Sequence, residues 1–446
     1  MKNLFDEIPQ ICSEEICLKE IREEDADAVR EMTENENVYK YLPTFLFERQ
    51  YSDTKEMIRA LYAEHFRAKD TLILGIYLRE EDCFCGIAEV YGYKSERRKA
   101  CIGYRLSERY WGKGIATKTA RLLTRYLFEE TDITEIEASV MMGNPASERV
   151  LEKAGFRRTA VNVEEDWGFG SLTLANNWKL DLVQTAKTEG FSMDYFRFGS
   201  GEKTMVILPG LSVQPVMGSA KDIIEAYRLF TKEYTVYVFD RRNELPDPYT
   251  MNEMAEDTAA VMKNLGLKDV YLFGASQGGM MSLLIAANHP DLVRKAVIGS
   301  AAAYVSDVMK ETMKSWRELA LQKDPEGLYL GFAEKLYPSS LYEAWKDFFR
   351  EASKTVTDGE LERFLRLADT MDSYDARGVL SKIGCPVLVI GAADDNVVGP
   401  EATKELCERL PDAELYIYEE GYGHAAFDTA PDYKERLYRF FGDEKS

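Results

Sequence analysis

Gly274-Ala275-Ser276-Gln277-Gly278 places a serine between glycines, directly after the apolar run DVYLF and directly before the apolar stretch GMMSLLIAANH. Flanking glycines let a chain bend sharply enough to leave a serine oxygen exposed at the end of a strand, as a nucleophile requires. Serine is a poor nucleophile until a base removes its proton, so the pentad gains meaning only if an aspartate and a histidine follow in that order. Asp394 follows the run CPVLVIGAA, and His424 follows a further helix and strand. Of the 3 histidines, His424 is the one downstream of Asp394. His289 ends the stretch after the serine and reads as a structural cap, while His65 reads as a helix-surface residue. The implied chemistry is attack of Ser276 on a carbonyl, with His424 as general base and Asp394 orienting the imidazole.

A second constellation lies upstream, in Arg109-Tyr110-Trp111-Gly112-Lys113-Gly114-Ile115-Ala116. Two glycines just before a helix expose backbone N–H groups at its positive end, a cradle suited to a pyrophosphate, and Arg109 and Lys113 add positive charge beside it. A Walker A loop does not fit, because Gly112-Lys113 is followed by Gly114 where Ser or Thr is needed. A dinucleotide fingerprint does not fit either, since no βαβ unit with GxGxxG surrounds the loop.

The elements that must position these residues divide the chain near residue 185. From Ile16 to about Leu182, strand-like runs such as TLILGIYL, CFCGIAEVYGY and EIEASVMM alternate irregularly with amphipathic helices. In the helix after Gly114, apolar Ile115, Ala116, Ala120, Leu122, Leu123 and Leu127 recur at helical spacing. Residues 183–194 read as a linker, from their Lys, Thr, Glu and Gly content. Beyond it TMVILPG, TVYVFD, KAVIGSA, CPVLVIGA and AELYIYE are short, apolar and β-branched, as strands of a parallel sheet buried on both faces should be. Between residues 304 and 380 the strands stop and aromatic-rich helices take over, which reads as an inserted helical lid.

The downstream pieces LPGL, VFDRR, GASQGG, NHPDLVRKAVI, IGCPVLVIGAADDNVV and GYGHAAFDTAPDY resemble the α/β-hydrolase superfamily. That resemblance implies a mostly parallel sheet with helices on both faces over residues 195–446. It also implies an acyl-enzyme mechanism on an ester, thioester or amide, with Ser276 as nucleophile and His424 as base. Asp394, three residues after the strand-ending Gly391, stands at the family's acid position. The backbone N–H groups of Leu211 and Gln277 would form the oxyanion hole. Pro209-Gly210 stands where the family often has His-Gly, so a lipase-like oxyanion loop is not implied.

The upstream loop, together with NPASERVLEKAGF, resembles the GNAT acetyltransferases, and the branch of ribosomal-protein N-terminal acetyltransferases in particular. The resemblance implies an α+β domain over residues 1–182, with a mixed, largely antiparallel sheet flanked by helices, that uses acetyl-CoA as co-substrate. Ile102, Tyr104 and Leu106 would pair with the pantetheine arm. The amides of Arg109, Gly112, Lys113, Gly114, Ile115 and Ala116 would hold the pyrophosphate, and Asn144 and Ser147 would lie near the thioester. Acetyl transfer needs a base for the ammonium and a proton for the leaving thiolate. Glu89 is a candidate base; the thiolate's proton source stays open between Ser147 and water. The chain thus reads as a bifunctional N-acetyltransferase and serine hydrolase. Two other architectures fit the same string: a serine hydrolase with a non-catalytic CoA-binding module, or an interaction protein built from two inactive folds.

Composition narrows the partners. With 56 Lys and Arg against 77 Asp and Glu, the net charge of −21 opposes nucleic acid and anionic membranes, leaving small molecules or a peptide or protein amine as expected partners. The 7 cysteines include no CxxC pair and no Cys-His cluster, so reduced thiols and no metal site are expected. The N-terminus MKNLFDEIPQICSEE carries acidic residues where a signal peptide needs an apolar core, and no stretch is long enough to span a bilayer, so the expected location is the cytoplasm.

Overall fold

The computed structural model describes residues 2–443 and divides into two compact units, one ending at Leu182 and the other beginning at Val183. The first unit is built on eight strands: β1 (Ile11–Cys12), β2 (Ile16–Lys19), β3 (Thr71–Leu78), β4 (Cys83–Lys94), β5 (Lys99–Leu106), β6 (Glu135–Met141), β7 (Arg157–Asp166) and β8 (Leu172–Asp181). They lie in the order β1-β2-β3-β4-β5-β6-β8-β7. Every neighbouring pair is antiparallel except β5 and β6, which run parallel. One face of the sheet packs Leu74, Ala88 and Ile102 against Ala120, Leu123 and Leu127 of the helix Ile115–Glu130; the other packs Ile73 and Ile87 against Val29, Met57 and Leu61. Burial of apolar side chains on these two faces, each contributing roughly 1.5–3 kcal/mol, fixes strand register and helix orientation together.

In the second unit the sheet comprises β9 (Val183–Lys187), β10 (Ser192–Gly199), β11 (Lys203–Leu208), β12 (Tyr234–Arg242), β13 (Val270–Ala275), β14 (Val293–Gly299), β15 (Val387–Ala392) and β16 (Ala413–Tyr418). The order is β16-β15-β14-β13-β11-β12-β10-β9. From β12 to β16 the neighbours are parallel, and β10 and β9 close the edge antiparallel. Every residue of β13 and of β15 is buried, as strands covered on both faces must be. Between β14 and β15 the helices Asp307–Leu321, Pro325–Leu336, Ser339–Ser353 and Asp358–Asp369 form the lid read from the sequence.

Two expectations are corrected. Residues 183–194 are not a linker: Val183–Lys187 is β9, which pairs with β10 in the second sheet. The polar segment that suggested a linker is the tip of this hairpin, where Thr188 N donates to Phe191 O at 2.9 Å and Gly190 takes φ +96°. Nor are all thiols free. Cys12 and Cys17 face each other across β1 and β2 and are joined as a disulfide, a consequence of antiparallel register that spacing alone did not reveal. Among the described residues no helix is long and apolar enough to cross a membrane.

Candidate active sites

In the second unit, Ser276 follows the last residue of β13 and precedes the helix Gln277–Asn288. Its backbone is held at φ 53°, a conformation costly for a non-glycine residue that surrounding structure must enforce. The enforcement is visible. Ser276 N donates to Gly299 O at 2.8 Å, and a Cβ on Gly278 would stand 1.9 Å from Leu208 O, so only glycine permits so close a crossing of helix and strand.

His424 lies after β16, with Nε2 at 2.9 Å from Ser276 Oγ. Its Nδ1 is 2.9 Å from Asp395 Oδ2 and 3.0 Å from Oδ1. The acid partner is therefore Asp395, and the expectation of Asp394 is corrected. Asp395 is 5% exposed and His424 2%. Asp395 Oδ1 also accepts from Val397 N at 2.8 Å and Val398 N at 2.9 Å, bonds that turn its carboxylate inward. Asp394 points the other way, accepting from Gly421 N at 2.8 Å and Gly423 N at 3.0 Å, and so ties down the loop that carries His424. Burial alone would raise the Asp395 carboxyl, but the neighbouring imidazole and the two amides outweigh it and hold it below the usual carboxylate range.

Gln277 opens its helix, so its N–H has no intrahelical acceptor. Gly210 and Leu211 border the same cavity as Ser276, and a Cβ on Gly210 would stand 3.2 Å from Ser276 Cβ. The segment is braced by a residue the sequence reading missed. Arg241, 3% exposed, donates to Pro209 O at 2.7 Å and to Gln277 Oε1 at 3.2 Å. Burial draws its pKa down to about 10. Nothing in VFDRR sets Arg241 apart from Asp240 and Arg242 on either side of it. His289 caps its helix as expected, with Nε2 at 2.8 Å from Glu256.

In the first unit, β5 and β6 pair only from Lys99 to Cys101 with Glu135 to Glu137, and beyond that the two parallel strands part. The gap opens a cavity of about 1090 Å³ bordered by Ile102, Tyr104 and Leu106 on one side and by Ala138, Val140 and Met141 on the other. Gly112, Gly114, Ile115 and Ala116 line one end, and Asn144 and Ser147 also reach it. Gly112 has φ +72° and Gly114, the N-cap of the helix Ile115–Glu130, φ +78°; a Cβ on either would meet nothing within 4 Å. The cradle is thus open toward solvent, and the residues fit a pyrophosphate. Arg109 and Lys113 lie at 5.0 and 5.5 Å from the Tyr110 ring, beside the cradle. Asn144 caps the helix Pro145–Ala154 through Ser147 N at 3.2 Å, and Ser147 Oγ is 3.0 Å from the Tyr104 hydroxyl, which burial keeps protonated well above its usual range.

Glu89 borders this cavity but is ion-paired with Arg105 at 3.2 Å, and Arg105 in turn donates to buried Glu48 at 2.8 Å. A second carboxylate, Glu165, escaped the sequence reading. It accepts from Ser139 Oγ at 2.7 Å and Trp167 Nε1 at 3.0 Å, both neutral donors, and also lines the cavity. Nothing in its strand, with exposed and half-buried residues interleaved, marks it out. His65 is not a surface residue of a regular helix. It ends a single π-helical turn, Leu61–His65, and packs its ring 4.2 Å from Phe47 at the same cavity.

Comparison with known proteins agrees with both halves. The acetyltransferase (GNAT) domain model matches residues 15–157, and the alpha/beta hydrolase fold model matches residues 203–431. The chain is 27% identical over 246 residues to a Pseudomonas syringae protein named for carbamate hydrolysis, RutD, a match covering 53% of this chain and 93% of that one. It is 28% identical over 258 residues to the mouse serine hydrolase BPHL, covering 54% and 80%. Among solved structures, MGS-M2, an alpha/beta hydrolase from a Medee basin deep-sea metagenome library, superposes with a TM-score of 0.54 at 22% identity, over 59% of this chain and 98% of that one. The chain belongs to the alpha/beta hydrolase fold family and carries a GNAT acetyltransferase domain ahead of its hydrolase domain.

Proposed function

We propose that the chain is a bifunctional enzyme, a serine hydrolase acting through an acyl-enzyme and an acetyl-CoA-dependent N-acetyltransferase. The observation that carries the hydrolase half is the unbroken line of contacts Ser276–His424–Asp395 at 2.9 Å each, with Ser276 at a strained turn. As Ser276 Oγ bonds to the acyl carbon, its proton passes to His424 Nε2. The charge on the former carbonyl oxygen is met by the N–H groups of Leu211 and Gln277, and the leaving group departs with the proton from His424. Water, deprotonated by the same imidazole, then releases the acid and restores the serine. Asp395 fixes the tautomer and stabilises the imidazolium. The relatives are named as a carbamate hydrolase and a serine hydrolase, which supports a carbonyl-centred bond as the one cleaved.

In the first unit the parted strands and the open glycine cradle support acetyl-CoA as co-substrate, which supplies the activated acetyl group. Beyond Cys101, the side of β5 that faces β6 is unpaired with it and offers strand edge, and the amides from Gly112 to Ala116 offer donors. Glu165, held by the neutral donors Ser139 and Trp167 at the cavity wall, is the carboxylate we assign to take a proton from the acceptor amine. Glu89 shares the guanidinium of Arg105 with Glu48, which suits it to holding the wall. Tyr104 and Ser147 form a hydroxyl pair that can deliver a proton to a departing thiolate.

Fluorophosphonate labelling of the full chain tests the hydrolase half. Ser276→Ala should abolish both labelling and ester hydrolysis while leaving acetyl-CoA binding unchanged; labelling that persists in Ser276→Ala would place the nucleophile elsewhere. For the transferase, Glu165→Gln should lower acetyl transfer to an amine about 10²–10⁴-fold with acetyl-CoA affinity kept.

A further inference from the structure

Beside Ser276 and His424 lies a cavity of about 30 Å³. A buried water takes up roughly 10–15 Å³ on this measure, so the space holds about two groups of methyl size. Its wall is formed by Met309, Met313, Trp316, Phe332, Met371 and Val397, together with further apolar side chains. The indole N–H of Trp316 is already committed, donating to Gly331 O at 3.1 Å. Trp316 and Phe332 pack against each other, ring centroids 4.3 Å apart, and hold the wall in place. Apart from Ser276 and His424, no lining residue brings a charged, hydroxyl or amide side chain to this space among the described residues.

Size and polarity act in the same direction. With the carbonyl oxygen between the N–H groups of Leu211 and Gln277, the rest of the acyl group must enter this cavity, which accepts a methyl or an ethyl group. A hydroxyl, amide or carboxylate carried there would lose water and find no partner, and an unpartnered buried polar group costs about tenfold or more in kcat/KM. We propose that the hydrolase centre selects short, uncharged alkanoyl groups, acetyl and propionyl, and rejects polar acyl groups of the same size. The inference rests on reading Ser276 as the nucleophile and adds the substrate class to it.

The test keeps the leaving group constant. Phenyl acetate, propionate, hexanoate, glycolate and hydrogen succinate are hydrolysed by the full chain, and each kcat/KM is divided by that ester's hydroxide-catalysed rate constant. Propionate and glycolate differ only by methyl against hydroxyl. Acetate and propionate should exceed hexanoate, glycolate and succinate by tenfold or more; a smaller margin for any of the three overturns the selectivity. Met313→Ala and Met371→Ala, two substitutions in the cavity wall, should each raise the hexanoate-to-acetate ratio at least fivefold, and an unchanged ratio in both folded variants would show that this cavity does not set the choice. Fluorophosphonate labelling separates the two levels of failure. A labelled Ser276 with a flat profile removes the selectivity alone, whereas no labelling and no turnover removes the nucleophile and the inference with it.

Discussion

Adjacent carboxylates at 394 and 395 do different work because one backbone turn points them apart. Asp395 is buried against His424, while Asp394 accepts two amides of the loop bearing that histidine. Asp395→Asn should therefore lower kcat for ester hydrolysis by about 10³–10⁴-fold, since the amide cannot stabilise the imidazolium and can enforce the wrong tautomer. Asp394→Asn keeps an acceptor for at least one amide and should cost about tenfold or less in kcat. A larger loss at 394 than at 395 would reverse the assignment. Stability carries a second signature. The Asp395 carboxyl is held low in the folded state, so its contribution is complete above the unfolded value of about 3.9 and is lost as pH falls through the folded one. Asp395→Asn should flatten the acid limb of the stability curve below that pH, measured by urea unfolding. At this scale Ser276 and His424 were legible from residue type and order. The choice between two neighbouring aspartates was not, because a strand offset counts residues while a turn decides direction. Glu165 and Arg241 were invisible for a related reason: Ser139, which bonds the first, and Pro209 and Gln277, which bond the second, are distant in sequence and come near only in the folded sheets.

At the scale of elements, the glycines of the acetyltransferase loop combine a sterically open position with a backbone that disfavours side chains. Gly114 sits at φ +78° with open space where its Cβ would lie. Gly114→Val should thus destabilise the fold by only about 1–2 kcal/mol, the cost of a β-branched residue in the left-handed region. Its larger effect should be on acetyl-CoA, because the side chain projects into the cradle, and affinity should fall tenfold or more. Calorimetry beside a thermal melt distinguishes the two effects; unchanged affinity in a folded variant would move the pyrophosphate off this loop. The helix Ile115–Glu130 and the strands around it were legible in their apolar spacing. The parting of β5 from β6 was not, since it depends on how few residues of two distant strands pair. The misread linker has the same origin: a hairpin tip and a domain linker use the same Thr, Lys, Glu and Gly, and only the partner strand tells them apart.

The whole molecule carries a net charge of −21, and its two proposed substrates differ in how they meet it. Acetyl-CoA is polyanionic and must approach against an unfavourable field, whereas a neutral ester is indifferent to it. Once seated, the phosphates are held at short range by backbone N–H groups at the helix start, and those contacts are screened little. Raising the salt from about 0.01 M to about 0.15 M shortens the screening length from about 30 Å to about 8 Å, removing most of the distant repulsion. The association rate of acetyl-CoA should therefore rise with salt, while kcat/KM for phenyl acetate stays constant. Stopped-flow binding and ester assays on the same preparation read both. Slower association at higher salt would show instead that Arg109, Lys113 and other local cations, not the bulk charge, govern the approach to the cradle.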